Sequence, residues 1–591
     1  MASIKDYKIV IPANADFYED FAKDELIYLL SKIGISLPVF KDSILFEKED
    51  KIISIGRTLL FAESGISAEY DELKRDGHKI VTQGNTLFLV GGGSYGTVYA
   101  VYGFLTRQFG YTYFNPNEIV FKRPNDFDVC DYSVTDIPDF ENRTGGFYFS
   151  KYEPTNATRY RTFRWYGFMQ NDGEFFGSWD HNHIRKYMPT RKYLSAHPDW
   201  YSPEFTQLCL SNEEMWVEFT KNVIEEIKQK PDSEYFLLGQ EDRPTFCGCK
   251  RCRELEESIG KSGIMMRFTN YVAREVEKWR KINAPERHIW IGTFAYQKTT
   301  KPPVKEDENG NYIPLDPSVV PEDNVFIMLA PISADMSVTI TDEEHNLSTK
   351  KTIDGWFSLT ENCIFWTYCS NFDRRFFYFD HFHVTSQNYK ILKDYKFKWL
   401  YYSNQAAKQG MAFQALACYL HSNLAWNVEL DIHELAKDFM ENYYKEGASE
   451  MKEYLKKTDE YYKKRKQEFM DRDGRYYGTY LWLSQETTNV WAPDFYTWEF
   501  ITEMNDLLDK AVQKIKQAGY GDKEQEMIDR IEVERFSLKN ITAEFFKDKF
   551  TKEEYFAFLD KFKADCERME ITSVKSKMTL DVAFDDWKKK Y

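Results

Sequence analysis

The chain has 591 residues, of which 42% are hydrophobic, so it is long enough for three or four globular domains with substantial cores. Its net charge is −16 and it has no long basic run, which argues against nucleic acid and anionic membrane surfaces as partners. No uncharged stretch approaches the length that spans a bilayer, and the first residues lack a signal-peptide pattern. The compartment stays open: periplasmic or extracellular if a signal peptide has been removed, and otherwise cytoplasmic.

Aromatic residues are unusually frequent, since 14 Trp, 40 Tyr and 46 Phe make up 17% of the chain. Aromatic rings stack on the apolar faces of sugars, although large cores and interfaces raise the same count. The composition therefore favours a carbohydrate ligand without requiring one. It carries no signal for an oligomeric state.

Residues 1–130 alternate strand and helix patterns, which predicts a small accessory α/β domain. The strands are expected at 7–11, 51–55 and 86–90, and a helix at 16–33. A glycine-rich segment, 91–96, then opens onto a further helix. It has neither the GxGxxG register nor a Walker lysine, so close packing is favoured over phosphate binding.

Residues 137–409 combine short apolar strands, helical patterns and long aromatic-rich connections. This alternation predicts an α/β fold with a (β/α)8-type barrel rather than an open sheet, because no dinucleotide fingerprint is present. Strands are expected at 145–149, 206–210, 235–238, 288–295, 324–329, 363–368 and 397–402, with helices at 212–228 and 263–281. In such a barrel the residues that directly follow each strand share one rim.

The segment YFLLGQEDRPTFCGCKRC, at 235–252, combines an apolar strand with two acidic residues. The strand ends at Leu238, and Glu241 and Asp242 follow almost directly. Adjacent carboxylates at the end of a buried strand are costly unless they are solvated, paired or needed for chemistry. We therefore predict Asp242 and Glu241 as candidate catalytic residues, with an ordinary acidic strand-to-loop junction as the alternative.

Polar and aromatic residues near the other strand ends are expected at the same rim. Asp335 and Asp373 are further candidates for a catalytic carboxylate. The candidate substrate-binding residues can hydrogen bond to a sugar or stack on it: Trp179, His181, His183, Gln240, Tyr296, Trp366, Asn371 and Asn404. His181 and His183 could instead bind a metal, but no HExxH helix supports that. Substrate hydrogen bonding or plain loop structure is therefore favoured for the two histidines.

Four cysteines are predicted to meet beside the acidic segment. Cys247, Cys249 and Cys252 occupy one loop, and Cys209 ends a predicted neighbouring strand, about 4.8 Å away in a barrel. A tetrahedral zinc site needs four such ligands. Three alternatives stay open: a structural zinc, a disulfide in an exported protein, and free thiols. No cofactor is expected to be required for catalysis.

Residues 410–591 show helical patterns throughout and predict an all-helical packing or interface domain. The helices are expected at 412–426, 432–444, 450–471, 495–518 and 523–547.

Several spaced motifs together resemble a bacterial family known as domain of unknown function 4838. They are QLCLSN at 207–212, QED at 240–242 followed by CxCxxC, RFTN at 267–270 and AYQ at 295–297. The segment 91–104 is similar to the accessory domain that precedes the barrel in β-hexosaminidases and α-glucuronidases. The resemblance implies an accessory domain, a catalytic barrel and a helical C-terminus. It also implies a glycoside hydrolase, exo-acting on a complex polysaccharide or glycan.

The resemblance also bears on individual carboxylates. The similar family carries Asp at the position of Asp242, which makes this residue the candidate general acid, and commonly Asn at that of Glu241. Hexosaminidases carry an Asp-Glu pair in the opposite order, so their substrate-assisted mechanism does not transfer. After the last barrel strand the family often has a Glu, where this chain has Ser403-Asn404-Gln405. If that Glu is a catalytic partner, Asp335 or Asp373 has to serve instead, or the chain is a non-catalytic carbohydrate-binding relative.

Overall fold

The computed structural model describes residues 3–93, 95–145, 154–162, 176–178, 181–372, 374–404, 411–480, 494–574 and 578–591. Over these ranges the chain forms two large sheets with flanking helices, two separate two-stranded hairpins and a helical C-terminal region. Strands and helices are numbered below in chain order.

The first sheet has six strands in the described ranges, in the order β2-β1-β3-β5-β4-β8. They are β1 (Tyr7–Ile11), β2 (Val39–Lys41), β3 (Lys51–Ile55), β4 (His78–Gln83), β5 (Thr86–Gly91) and β8 (Ser133–Asp136). The first four strands in this order pair in parallel, whereas β4 runs antiparallel to both of its neighbours. A separate hairpin consists of β6 (Tyr111–Asn115) and β7 (Glu118–Phe121). The predicted strands of this region are confirmed, and the sheet continues to residue 136.

Two of the helices beside this sheet were predicted. Those in the described ranges are α1 (Phe17–Ser31), α2 (Leu59–Ser64), α3 (Tyr70–Leu73) and α4 (Gly96–Phe109). The glycine-rich segment before α4 serves close packing, as the sequence indicated. A Cβ atom at Gly91 would lie 2.2 Å from the backbone nitrogen of Thr97, and one at Gly96 would lie 2.7 Å from the carbonyl of Gly77.

The second sheet has seven strands in the described residues, all paired in parallel. Their order is β10 (Phe176–Ser178), β11 (Tyr235–Leu238), β12 (Trp290–Ala295), β15 (Val325–Leu329), β16 (Cys363–Tyr368), β17 (Trp399–Ser403) and β9 (Asn142–Gly145). The hairpin β13 (Val304–Glu306) and β14 (Tyr312–Pro314) is inserted between β12 and β15. The fold is thus mixed α/β with a parallel half-barrel sheet.

The curvature of this sheet shows in contacts across its inner face. The Tyr235 ring lies 5.1 Å from that of Trp399, although three strands separate β11 from β17 in the sheet. Tyr235 also contacts Phe326, at 5.5 Å. The inner face is therefore lined mainly by large apolar and aromatic side chains.

One predicted strand is wrong. Residues 206–210 form only an isolated bridge, between Tyr201 and Leu208, because the segment folds back on the preceding turn. The backbone nitrogen of Cys209 donates to Trp200, and that of Ser202 donates to Gln207. Five other predicted strands of this region are present with ends shifted by no more than two residues, and the predicted strand at 145–149 coincides with β9 only at Gly145. Residues 146–149 lie outside the described ranges.

Helices connect the strands of the second sheet. They are α5 (Pro154–Arg159), α6 (Thr190–Tyr193), α7 (Glu213–Gln229), α8 (Lys250–Asn283), α9 (Leu347–Phe357) and α10 (Phe382–Asp394). Asn212 caps α7 through its side chain, as its residue type favours. Gly260, at φ +71°, breaks α8 into two segments.

The C-terminal region is helical, and all five predicted helices are present. The helices are α11 (Gln414–Trp426), α12 (Ile432–Tyr443), α13 (Ala448–Asp473), α14 (Trp498–Ala518), α15 (Glu524–Phe545), α16 (Lys552–Arg568) and α17 (Leu580–Lys590). The last two pack around Phe562, Phe584 and Trp587. None of the helices in the described ranges is both long and apolar enough to cross a membrane.

Candidate active site

The loop that carries the candidate acid starts at the end of β11, which side-chain and backbone hydrogen bonds join to a neighbouring loop. Asn182 joins this end to the neighbouring loop, since its amide donates to the carbonyl of Leu237 and accepts from the backbone nitrogen of Gly239. A parallel bridge between His181 and Gly239 continues the sheet by one step. Residues 181–182 are thereby held directly beside Gln240–Asp242.

Asp242 lies at this rim with a carboxylate that solvent can reach, its side chain being 60% exposed. The hydroxyl of Tyr296 donates to its Oδ1 atom at 3.0 Å, and the side-chain amide of Gln297 donates to the same atom at 3.3 Å. That amide also donates to the Tyr296 hydroxyl, at 3.0 Å. Two residues that directly follow β12 therefore hold the carboxylate that follows β11.

His181 is the third neighbour of this carboxylate. Its Nδ1 atom lies 2.5 Å from the carbonyl oxygen of Gln240. Because a carbonyl only accepts, Nδ1 carries the proton, and Nε2 is the ring nitrogen that lies 3.9 Å from Oδ1 of Asp242. The imidazole packs on Phe294 and Tyr296, with centroid distances of 5.2 and 5.8 Å.

Tyr296 and Gln297 occupy an unusual backbone and electrostatic setting. Gln297 has φ +49°, in the left-handed region that residues other than glycine rarely adopt. Burial, and secondly the negative charge of Asp242, raise the pKa of the Tyr296 hydroxyl, so it stays protonated as a donor at neutral pH. The side-chain oxygen of Gln297 is buried and has no hydrogen-bond partner among the described residues.

Aromatic side chains from the next strands border the same space. Trp366 is partly exposed, and its ring lies 4.4 Å from that of Tyr401 and 6.0 Å from that of Phe294. Burial raises the pKa of Tyr368 well above its usual range, and the nearby Tyr296, Tyr401 and Asp242 add to the rise. In the described part of the chain, the rim thus combines the solvated carboxylate of Asp242 with several aromatic rings.

Glu241, the other half of the acidic pair, has a different environment. Its Oε1 atom accepts from the backbone nitrogens of Ile184 and Arg185, at 2.8 and 3.1 Å. The side chain of Gln207 brackets its backbone, accepting from the nitrogen at 3.2 Å and donating to the carbonyl at 2.9 Å. These contacts favour a structural role for Glu241 over the predicted catalytic one.

Asp335 is fully buried, and its carboxylate is saturated with hydrogen bonds. It accepts from the backbone and hydroxyl of Ser337, the backbone of Thr479 and the hydroxyl of Tyr476. The carboxylate therefore joins a loop after β15 to the segment that follows α13, which favours a structural role here too.

His183 and Gln240, which were both predicted to contact the substrate, are buried in the structure. His183 is 1% exposed and lies between the rings of Phe219 and Phe268, and burial lowers its pKa to about 3. This setting favours a neutral core residue over the predicted substrate contact. Gln240 is buried too, donating to the Tyr296 carbonyl and accepting from the Thr299 hydroxyl.

The remaining predicted residues are placed as follows. Asn371 is buried, where its amide accepts from the nitrogen of Arg374 and donates to the carbonyl of Tyr480. Asn404 is buried at the end of β17, with its amide nitrogen 3.4 Å from the sulfur of Met411. Trp179 and Asp373 lie outside the described residues.

The sequence prediction placed Gln297 at the rim beside Tyr296 without giving it a role, and it missed the part played by Asn182. Gln297 had a usable signal, its position directly after a strand, next to the predicted Tyr296. Asn182 lies in an irregular loop, and its bonds to Leu237 and Gly239 are set by tertiary structure.

Four cysteines lie behind the Asp242 loop. The thiols of Cys209, Cys247, Cys249 and Cys252 are all within 4.8 Å of one another. None of the nine cysteines is in a disulfide in this structure.

Comparison with known proteins places the chain in a family. The model of a family described as a domain of unknown function (DUF4838) matches residues 113–456, more than half of the chain, and the chain belongs to this family. A search of curated proteins returned no match.

Two solved structures share the fold over nearly the whole chain. A "GH138 enzyme targeting pectin rhamnogalacturonan II" is 12% identical with a TM-score of 0.51, covering 99% of this chain and 98% of that one. BtGH115A, a GH115 4-O-methyl-α-glucuronidase "with specificity for decorated arabinogalactans", is 13% identical with a TM-score of 0.58, covering 95% of this chain and 76% of that one. At such identities the likeness shows a glycoside hydrolase-like fold, while function has to be argued from the site.

Proposed function

We propose that this member of the DUF4838 family is a glycoside hydrolase with Asp242 as its general acid. The observation that carries the proposal is the solvated carboxylate of Asp242, held by the Tyr296 hydroxyl and the Gln297 amide at the carboxyl ends of parallel strands. In sheets of this kind the reactive groups gather at that edge. The shared fold of the two glycoside hydrolases supports the same reaction class.

The chemistry requires a proton donor for the glycosidic oxygen. It also requires a second carboxylate, which either activates a water molecule or attacks the anomeric carbon. Asp242 would supply the first, since its side chain is largely exposed and two donors hold one of its carboxylate oxygens. Trp366, Tyr296 and Trp179 would stack on the sugar faces.

The finer architecture belongs to the same proposal. We infer that the half-barrel sheet is part of a (β/α)8-type barrel, with an accessory domain at 1–130, the barrel at 137–409 and a helical domain at 410–591. Of the carboxylates predicted as the second group, Glu241 and Asp335 are held by backbone and hydroxyl donors, whereas Asp373 lies outside the described residues and stays a prediction. No cofactor is needed for this reaction.

The substrate is proposed to be a complex polysaccharide or glycan, attacked at a chain end. The GH138 enzyme is described as targeting pectin rhamnogalacturonan II, and BtGH115A as having specificity for decorated arabinogalactans. We therefore take these two polysaccharides as the first substrates to assay.

A carbohydrate-binding protein without turnover is the second candidate. The carboxylate environments favour it. Glu241 accepts from backbone nitrogens, and the buried Asp335 carboxylate is fully hydrogen-bonded. Asp242 is therefore left without a catalytic partner among the described residues. A site that needs two working carboxylates would then bind sugar without cleaving it.

The two candidates separate in one experiment. The protein is incubated with the two polysaccharides and with a panel of aryl glycosides, and both product release and equilibrium binding are measured. Release of single sugars from chain ends supports the exo-acting hydrolase. Saturable binding with no product over long incubation supports the binding protein, and would overturn the proposed function.

A further inference from the structure

The four-cysteine cluster behind the Asp242 loop has the shape of a metal site. The sulfur of Cys209 lies 3.6 Å from that of Cys249 and 3.9 Å from that of Cys252. With zinc–sulfur bonds of about 2.3 Å, the edge of a tetrahedral four-thiolate site is about 3.8 Å. The cluster therefore needs only small adjustments to enclose one ion.

The surroundings of the cluster also suit an ion held by four thiolates, which would carry a net charge of −2. The hydroxyl of Ser211 lies 3.1 Å from the sulfur of Cys252 and 3.4 Å from that of Cys209, where it can donate to bound thiolates. Cys249 is the N-cap residue of α8, whose first turn carries Lys250, Arg251 and Arg253. The helix N-terminus and these cations offset the negative charge.

A path to the cluster exists from solvent. Three of the cysteines are buried and Cys249 is partly exposed. A surface cleft of about 420 Å³ is lined by Asp199, Tyr201, Cys209 and Cys249, among others. Metal ions and chelators can therefore reach the site in the folded protein.

The position of the cluster means that a bound ion would restrain the Asp242 loop. The Asp242 loop starts at β11, which Asn182 holds, and reaches Cys247 five residues after Asp242. Cys209 lies two residues after Gln207. The side chain of Gln207 hydrogen bonds to both the backbone nitrogen and the backbone carbonyl of Glu241. An ion bound by these cysteines would close the loop at its far end.

We propose that Cys209, Cys247, Cys249 and Cys252 bind one structural Zn²⁺ ion that clamps the Asp242 loop to the 207–212 segment. The ion takes no part in the chemistry, since all four ligand positions are filled by protein. The idea that the ion holds Asp242 in place for catalysis rests on the proposed function, whereas the existence of the metal site does not.

The first test is the metal content of the full-length protein purified without chelator. About one equivalent of zinc per chain is expected, and replacement by Co²⁺ should give the visible absorption bands of a tetrahedral thiolate complex. Less than about a tenth of an equivalent after growth with added zinc, or an oxidised cluster by mass spectrometry, would overturn the proposal, as would stoichiometric iron in place of zinc.

The second test uses matched substitutions. Cys249→Ser should weaken zinc binding in competition with a chromophoric chelator by more than the roughly 10- to 100-fold that loss of an outer-sphere partner costs. Cys130→Ser, at an exposed cysteine outside the cluster, should bind zinc as the wild type does. If Cys249→Ser does not fold, the wild-type stoichiometry still decides the question. Equal zinc affinity in both variants would contradict the assignment.

The clamp itself is tested by amide hydrogen exchange, which does not depend on activity. Removing zinc with a chelator should speed exchange across residues 240–252, with little change in the first sheet. Unchanged exchange at 240–252 after complete zinc loss would leave a metal site but overturn the clamp. Loss of activity alone bears on the proposed function and not on this inference.

Discussion

Asp242 and Glu241 are neighbours in sequence, yet their environments separate their roles. Asp242 accepts from two side-chain donors and keeps most of its surface in solvent, whereas Glu241 accepts from two backbone nitrogens. A carboxylate committed to backbone donors has little freedom to transfer a proton. At the residue scale, then, the hydrogen-bond partners select Asp242 from the acidic pair.

Tyr296→Phe tests the donor that holds Asp242. The variant removes one hydrogen bond to a charged group while the ring keeps its packing on His181 and Phe294. Such a bond is worth about 1.5–3 kcal/mol, so we expect kcat to fall roughly 10- to 100-fold with KM nearly unchanged. Tyr395→Phe is the matched control, because it breaks a Tyr–Asp bond, to Asp354, outside the site. Equal kcat in both variants would contradict the assigned role of Tyr296.

Glu241→Ala tests the structural role of the second acid. The substitution leaves the backbone nitrogens of Ile184 and Arg185 without their acceptor, which should cost about 1–3 kcal/mol in the free energy of unfolding. Glu241→Gln keeps an acceptor oxygen and should cost less. Denaturant titration measures both. Wild-type stability in Glu241→Ala would show that these bonds do not stabilise the fold.

At the scale of elements, the sequence predicted most strands and helices because apolar runs and helical spacing mark them directly. It misjudged 206–210, since the apolar residues of that segment fold back on residues 200–202 instead of joining the sheet. It also predicted Asp242 as a catalytic candidate from its place after β11, and that role stays a prediction. It could not predict the roles of Glu241, Asp335 or His183. The contacts that define these roles join residues 40 or more positions apart in sequence, or form only when the core packs.

The contact between α15 and the start of α11 makes stability depend on pH. Glu534 accepts from the backbone nitrogen of Phe413 and from the hydroxyl of Tyr444, and burial raises its pKa from 4.5 to about 8. The folded protein thus holds this proton more tightly than the unfolded chain. The stabilisation is complete below pH 4.5 and is lost as the pH rises to about 8.

Glu534→Gln should remove this contribution. We expect the variant to gain stability relative to the wild type as pH rises from about 5 to about 8, by up to roughly 1.4 kcal/mol per pH unit. Glu499→Gln, at an exposed position on α14, is the control. Denaturant titration at several pH values gives the difference between variant and wild type. A difference that does not change with pH would contradict the buried, protonated state of Glu534.

At the scale of the whole molecule, one buried cluster joins the three regions of the chain. Arg143 of β9 donates to Asp76 of the first region at 2.7 Å, and both side chains are fully buried. The guanidinium also lies 4.8 Å from the ring of Trp426, at the end of α11. The indole of Trp426 in turn donates to Asp136 of β8. The accessory sheet, half-barrel and helical region are therefore coupled through this cluster.

Arg143→Met should destabilise the protein strongly, because it removes the 2.7 Å ion pair of the buried Asp76 carboxylate and leaves it the longer contact with Arg75, at 3.2 Å. Breaking a buried pair costs about 3–5 kcal/mol. Lys122→Met is the matched control: it removes an exposed ion pair, to Asp438, that also links two regions and should cost less than about 1 kcal/mol. Thermal and denaturant unfolding would show the contrast. Similar losses in the two variants would contradict the coupling assigned to Arg143.

The most direct test of the account is the activity of Asp242→Asn, measured beside Glu241→Gln on substrates with good and poor leaving groups. As general acid, Asp242 should contribute about 10²- to 10⁴-fold to kcat/KM for glycans, whose leaving groups need protonation, and much less for activated aryl glycosides. Glu241→Gln, once folded, should keep most of its activity on both. Wild-type turnover of glycans by Asp242→Asn, or an equal loss in Glu241→Gln, would contradict the assignment of Asp242 as the acid.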